Sequence, residues 1–218
     1  ICQKNGIEPP STDEILDRLG NKNLVQIIDE FAPEITKEDL PAFMAECNHT
    51  CDGLLNIPEW NEDLYPNVRE TLQALKDQGH TLGIYTGTRD DALEKLMDYH
   101  DIEDLFDTRF IRSKNNDRDG WINNNDLKKS QLLSIRDEIN NTNLKGSKII
   151  VIGDSTADYE AAEALGMEFY GFAPSDQKEK KFKQAGATKT FNSFENFPDS
   201  GNTPSPLLRP RSPNNGPC

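Results

Sequence analysis

The chain has 218 residues, enough for one domain of ordinary size plus a smaller one around a proper core. Its 24 basic and 38 acidic residues leave a formal net charge of −14, which argues against a nucleic-acid binder needing a basic face. An anionic substrate would need a local cation or metal to overcome that field.

No apolar run approaches the ~20 residues of a membrane span, and no secretory signal opens the chain. Cys2, Cys47, Cys51 and Cys218 are too few and too scattered for a disulfide framework, so a reducing, cytoplasmic setting is expected.

Residues 1–61 read as a helical unit. Ser11-Thr-Asp-Glu14 has the spacing of a capping box, with Ile15, Leu16 and Leu19 behind it and Gly20 as the stop. A second helix is expected from about Leu24 to Phe31, striped by Val25, Ile28 and Phe31. A third is expected from near Thr36-Lys-Glu-Asp39, carrying Leu40, Phe43, Met44 and Cys47. The stripes suit a small bundle. Cys47-Asn-His49-Thr-Cys51 puts two thiols at i and i+4, but His49 points elsewhere and no fourth ligand is evident, so buried cysteine is the simpler reading.

From about Asn61 helices alternate with strands. A helix opening at Tyr65-Pro-Asn-Val68 and ending at Gly79 leads into an expected strand, Thr81–Thr86, with Gly87-Thr88 at its carboxyl end. A helix from Asp90 to about Tyr99 and an expected strand from Phe106 to Ile111 follow. Asn115–Asp126 is a polar insertion. Its oxygen side chains and Gly120 follow calcium-loop spacing, and an Asp-Gly hairpin explains the same residues. A helix bearing Leu132, Leu133, Ile135 and Ile139 comes next.

Ile149–Ile152 is a β-branched run without polar alternation, expected to be a parallel strand buried on both faces. Gly153 ends it and Asp154 stands at its carboxyl end. Ser155 or Thr156 can cap the next helix, which turns Ala161, Ala162 and Leu165 inward and stops at Gly166. Ligands of open α/β sheets bind at the carboxyl ends of strands. Asp154 and Asp158, four residues apart there, suggest a hard-cation site suited to Mg²⁺; a capping Asp154 and a solvated Asp158 are the plainer alternative. Glu168–Phe172 and Thr188–Phe191 are the last expected strands. Residues 199–218, rich in proline, asparagine and serine, read as a disordered tail. The pattern is α/β, a parallel sheet with helices on both faces.

Several separated signals then fall in one order. Leu64–Gly79 leads into Thr81-Leu-Gly-Ile-Tyr-Thr86-Gly87; Lys129, with Lys128 as its close rival, lies in Leu-Lys-Lys-Ser-Gln-Leu-Leu; Gly153-Asp154-Ser-Thr-Ala-Asp158 follows. Together, over residues 5–195, they resemble the haloacid dehalogenase superfamily, most closely its phosphoglycolate phosphatase-like branch. The resemblance implies a Rossmann-like core over residues 62–198, an α-helical cap over residues 1–61 and hydrolysis of a small phosphorylated metabolite with Mg²⁺. It assigns phosphoryl contacts to the Thr86 hydroxyl and Gly87 amide, the catalytic cation to Lys129, and the metal to Asp154, with Asp158 beside or behind it.

The family's first motif, an Asp-x-Asp pair on a strand near the amino terminus, has no counterpart in residues 1–10, which hold no aspartate. The sequence opens on Ile1 rather than methionine, so a strand, a catalytic loop and most of a cap helix are expected upstream. A non-catalytic module that binds phosphate or a partner is the alternative.

Overall fold

The computed structural model describes residues 6–11, 14, 24–55, 63–114 and 124–197. Helices α1 (Leu24–Phe31) and α2 (Leu40–Leu55) form the amino-terminal unit. The rest runs α3 (Val68–Asp77), β1 (Ile84–Arg89), α4 (Asp90–Tyr99), β2 (Ile111–Lys114), α5 (Asn124–Asn140), β3 (Ile150–Gly153), α6 (Thr156–Ala164), β4 (Glu168–Phe172), α7 (Asp176–Ala185) and β5 (Thr190–Phe191). The tail, the first expected helix beyond Glu14 and residues 115–123 of the polar insertion lie outside the described residues.

The expected Ser11–Glu14 capping box forms in the amino-terminal unit, and Thr36 and Asp39 are joined by side-chain bonds of the same spacing. The Ser11 hydroxyl donates to Glu14 at 2.7 Å and its oxygen accepts the Glu14 amide at 3.3 Å. The Thr36 hydroxyl donates to Asp39 at 2.6 Å, and the Asp39 amide returns to it at 3.2 Å. Ile7, Ile28, Ala32, Leu40 and Phe43 are the buried core of this unit, and Cys47 packs half-buried against them. His49 is exposed, and among the described residues no three His, Cys, Asp or Glu side chains gather as a metal site.

All the strand pairings are parallel. β1 pairs with β2, and β3 pairs with β4, which pairs with β5. Helix α5 lies on β1 and β2, α6 on β3 and β4, and α5 and α6 pack against each other, with α7 beside α6. The two sheets therefore share one helical layer, with β1 and β3 as their inner members. Among the described residues the inner edges of β1 and β3 have no pairing partner.

Side-chain alternation distributes the core on the two faces of β1. Tyr85 turns toward the cluster of Leu132, Val151, Ala161, Ala162, Phe169 and Phe182, under α5, α6 and α7. Ile84 turns to the opposite face, with Leu72, Leu93, Met97 and Leu105 from α3, α4 and the short helix after them. A strap of aromatics ties the two ends of this region together: Tyr65 sits edge-on to Phe172 at 4.7 Å, and Phe172 contacts Phe191 and Phe194.

Three local expectations are corrected. The first strand begins at Ile84 rather than Thr81, because Leu82 gives its carbonyl to the Asp107 amide instead of a ladder. The second begins at Ile111; Thr108–Phe110 form a 3₁₀ turn, capped by the Asp107 carboxylate accepting the Arg109 amide. β3 is not buried on both faces. Val151 faces the helices and is buried, whereas Ile152 points the other way and is 38% exposed, since no described element covers that face.

Candidate active site

The carboxyl ends of β1 and β3 hold the residues the sequence singled out. Gly153 closes β3, and Ser155 takes an extended conformation that caps α6. Its hydroxyl oxygen accepts the Asp158 amide at 3.3 Å. In return, Asp158 Oδ2 accepts the Ser155 amide at 3.1 Å and the Ser155 hydroxyl at 2.7 Å. This capping box satisfies helix-end donors reciprocally and folds the Asp158 carboxylate back under the strand end. The return is tight enough to demand glycine at 153: a Cβ there would lie 2.4 Å from Asp158 Cβ.

Asp158 is therefore not the solvated acid of the plainer reading; it is 2% exposed. Its Oδ1 has the Lys128 ammonium at 2.9 Å, and Lys128 is itself only 17% exposed. That ammonium also stands 4.8 Å from the centre of the Tyr85 ring, a cation–π distance. The Tyr85 hydroxyl is buried and makes no well-formed hydrogen bond. Burial first, then the negative charges of Asp158 and Asp154, raise the tyrosine pKa far above its ordinary value, so the phenol keeps its proton.

One turn along the same face of α5, buried Gln131 donates to the Thr86 carbonyl at 2.8 Å. Helix α5 thus delivers a cation and a backbone clamp to the end of β1. Past Thr86 the pairing with β2 shifts register. The Thr86 hydroxyl accepts the Thr88 amide at 3.1 Å and donates to the Thr88 hydroxyl at 3.0 Å, and Gly87 is exposed within β1.

The structure separates the two adjacent lysines. Lys128 faces Asp158, whereas Lys129 is exposed one residue further round the helix. Helical spacing gives the reason: Lys128 shares its face with Gln131, Leu132 and Ile135, all buried, and a 100° step carries Lys129 off it.

Asp154 has a different neighbour. Its carboxylate is 66% exposed and its Oδ2 lies 2.6 Å from the Lys178 ammonium, from the first turn of α7. Tyr85, Gln131 and Lys178 are site residues that sequence reasoning missed. Only Lys178 had a local signal, the Ser175 cap that opens its helix.

The donor set fits Mg²⁺ at Asp154, an accessible carboxylate at a strand end. It does not fit direct ligation by Asp158, which is 2% exposed, has Oδ2 taken by Ser155 and has the Lys128 ammonium 2.9 Å from Oδ1. Mg²⁺ commonly takes one or two carboxylates and fills its shell with water and phosphate oxygens. Asp154 would hold the ion, with Asp158 and Lys128 behind it as a fixed pair. When bound, such an ion neutralises phosphoryl charge.

A phosphoglycolate phosphatase of Aliivibrio fischeri is 28% identical over 109 residues, 47% of this chain and 41% of that protein. The chain thus matches about two-fifths of the length of that curated relative. Among solved structures, a predicted phosphatase from Clostridium acetobutylicum superposes with a TM-score of 0.66 at 19% identity, covering 88% of this chain and 82% of its own. A predicted phosphoglycolate phosphatase from Haemophilus somnus gives 0.60 at 20%, covering 88% and 83%. At such identities the likeness is one of fold. The sequence match to the family model for haloacid dehalogenase-like hydrolases runs over residues 1–172, and on that match the chain belongs to this family.

Proposed function

We propose that this chain carries the phosphate- and cation-binding side of an enzyme that hydrolyses small phosphate monoesters with Mg²⁺, in the manner of a phosphoglycolate phosphatase. The observation that carries the reading is the buried pair of Lys128 and Asp158 at the carboxyl ends of β1 and β3. A lysine held in that place by a carboxylate has a fixed position, as stabilisation of a phosphoryl group in transfer requires. Lys128 is the site cation in this proposal, in place of Lys129. The Thr86 hydroxyl and Gly87 amide are donors to the phosphoryl oxygens, and Asp154 is the Mg²⁺ ligand.

Attack by a carboxylate would split the hydrolysis into two easier steps, through an aspartyl-phosphate that water then cleaves. The resemblance implies an Asp-x-Asp pair for this. Among the described residues β1 and β3 each have one edge without a strand partner, and a parallel strand paired there would bring such a pair to the same carboxyl end. Without that strand the site binds phosphate but does not cleave esters, which is the second reading. A small anionic metabolite, rather than nucleic acid or a membrane, suits a chain of net charge −14, and the scattered cysteines suit the cytoplasm.

Titration calorimetry with inorganic phosphate and Mg²⁺ tests the proposal. Lys128→Ala should weaken phosphate binding by about tenfold to a hundredfold, the worth of one charge-assisted contact, and Lys129→Ala should leave it unchanged. The reverse order, or equal loss in both variants, would overturn the assignment. Turnover of a generic phosphate monoester then separates the catalytic reading from the binding one.

A further inference from the structure

The Lys178–Asp154 ion pair is a contact of the site that the proposed reaction does not use. The position of the lysine is fixed from below. Phe182, one helical turn later on the same face of α7, is 1% exposed and packs on the sheet where Gly171 leaves room: a Cβ at 171 would lie 3.0 Å from the Phe182 ring. From above, the Ser175 hydroxyl oxygen accepts the Lys178 amide at 3.3 Å. With its backbone held at both points, Lys178 reaches over the end of β3 to Asp154 Oδ2 at 2.6 Å.

We propose that Lys178 is the resident counter-cation of Asp154, a built-in competitor whose charge opposes a divalent cation at that carboxylate, and that it sets the cation concentration at which the site loads. The inference rests on the reading of Asp154 as the cation ligand. Lys178 holds Asp154 Oδ2, so a divalent cation on either oxygen of that carboxylate would stand close to the ammonium and be repelled by it. The lysine side chain is 35% exposed and flexible, so it can swing toward the site mouth without disturbing the helix. Since the pair is open to water, its own strength is small. The competition is therefore a shift in affinity and not a block.

The test uses the whole 218-residue chain and Mn²⁺ alone, read by the loss of the free-ion paramagnetic resonance signal, with no substrate present. Lys178→Met removes the charge and keeps the apolar stem, and should tighten Mn²⁺ binding by about fivefold to tenfold. Lys178→Arg should restore the wild-type affinity to within about twofold. Asp154→Asn should abolish binding at this site in either background. Unchanged or weaker binding in Lys178→Met, with Asp154→Asn still silent, would overturn the competitor role and leave Asp154 as the ligand. Binding that survives Asp154→Asn, or is absent from wild type and Lys178→Met alike, would overturn both.

Discussion

Gly153→Ala adds a single methyl group in the tightest place of the site. The new Cβ would lie 2.4 Å from Asp158 Cβ, 2.6 Å from its Cγ and 2.7 Å from its Oδ2, all well inside contact distance. Asp158 cannot step aside cheaply, because Oδ2 is held by the Ser155 amide and hydroxyl and Oδ1 faces Lys128. Overpacking of a dense interior costs about 1–3 kcal/mol, and loss of a helix cap adds about 1 kcal/mol. The expected loss is thus about 2–4 kcal/mol, read as a lower urea midpoint at unchanged slope. A double-mutant cycle isolates the cause: in an Asp158→Gly background, which removes the Cβ along with the carboxylate, the clash is gone, so Gly153→Ala should cost less than about 1 kcal/mol more. If Gly153→Ala alone stays within about 0.5 kcal/mol of wild type, or the two losses simply add, the close return of Asp158 under β3 is not what requires glycine there.

Two further outcomes follow from the charges. Lys128→Ala leaves the buried Asp158 carboxylate without its cation and should destabilise the fold by about 2–3 kcal/mol in urea melts, somewhat under the 3–5 typical of fully buried pairs because Lys128 keeps some solvent contact; Lys129→Ala should stay within about 0.5 kcal/mol. Glu168 accepts hydrogen bonds from Lys148 and Lys189, which lower its pKa from 4.5 to about 2. An acid whose folded pKa is depressed contributes its stability fully above the unfolded value and loses it as pH falls toward the folded one. Thermal melts between pH 5 and 2 should therefore fall less steeply for Glu168→Gln than for wild type, and equal slopes would refute the role of this carboxylate.

The parts of the fold that were legible are those in which one period dominates. Glu168–Phe172 reads as a strand and forms one over those same residues, because aromatic preference and burial agree there. Helix α7 was missed. Asp-Gln-Lys-Glu-Lys-Lys-Phe182-Lys-Gln-Ala has one bulky apolar residue, so no stripe exists to read, and a single deeply buried phenylalanine anchors the helix. Its ends were nonetheless written in Ser175, the cap, and in Gly186, at φ 102. The choice between Lys128 and Lys129 was not legible, since Lys128 lies four residues before Leu132 and Lys129 four before Leu133. What no local pattern holds is the meeting of distant segments, such as Tyr85 with Lys128, or Asp154 with Lys178. Those contacts depend on α5 and α7 being placed by the sheet.

The four charges of the site explain why a divalent cation belongs to the proposal rather than decorating it. Lys128 with Asp158 and Lys178 with Asp154 are two closed pairs, so the site is locally neutral before any ligand arrives. A phosphate ester approaching it would feel chiefly the remainder of a chain whose net charge is −14, since charges beyond about 8 Å are screened but the near surface is not. Neutral pairs give such an anion little reason to stay. A divalent cation on Asp154 changes the sign: it leaves an excess of positive charge at the ends of β1 and β3 and frees the Lys178 ammonium from its partner. Phosphate affinity should therefore rise with the cation, and by linkage the cation should bind more tightly in the presence of phosphate by the same factor. On the proposed reading, the electrostatics of an acidic chain would make the metal the condition for holding the anion, and the arrangement of Lys178 would make the anion's site sensitive to how much metal there is.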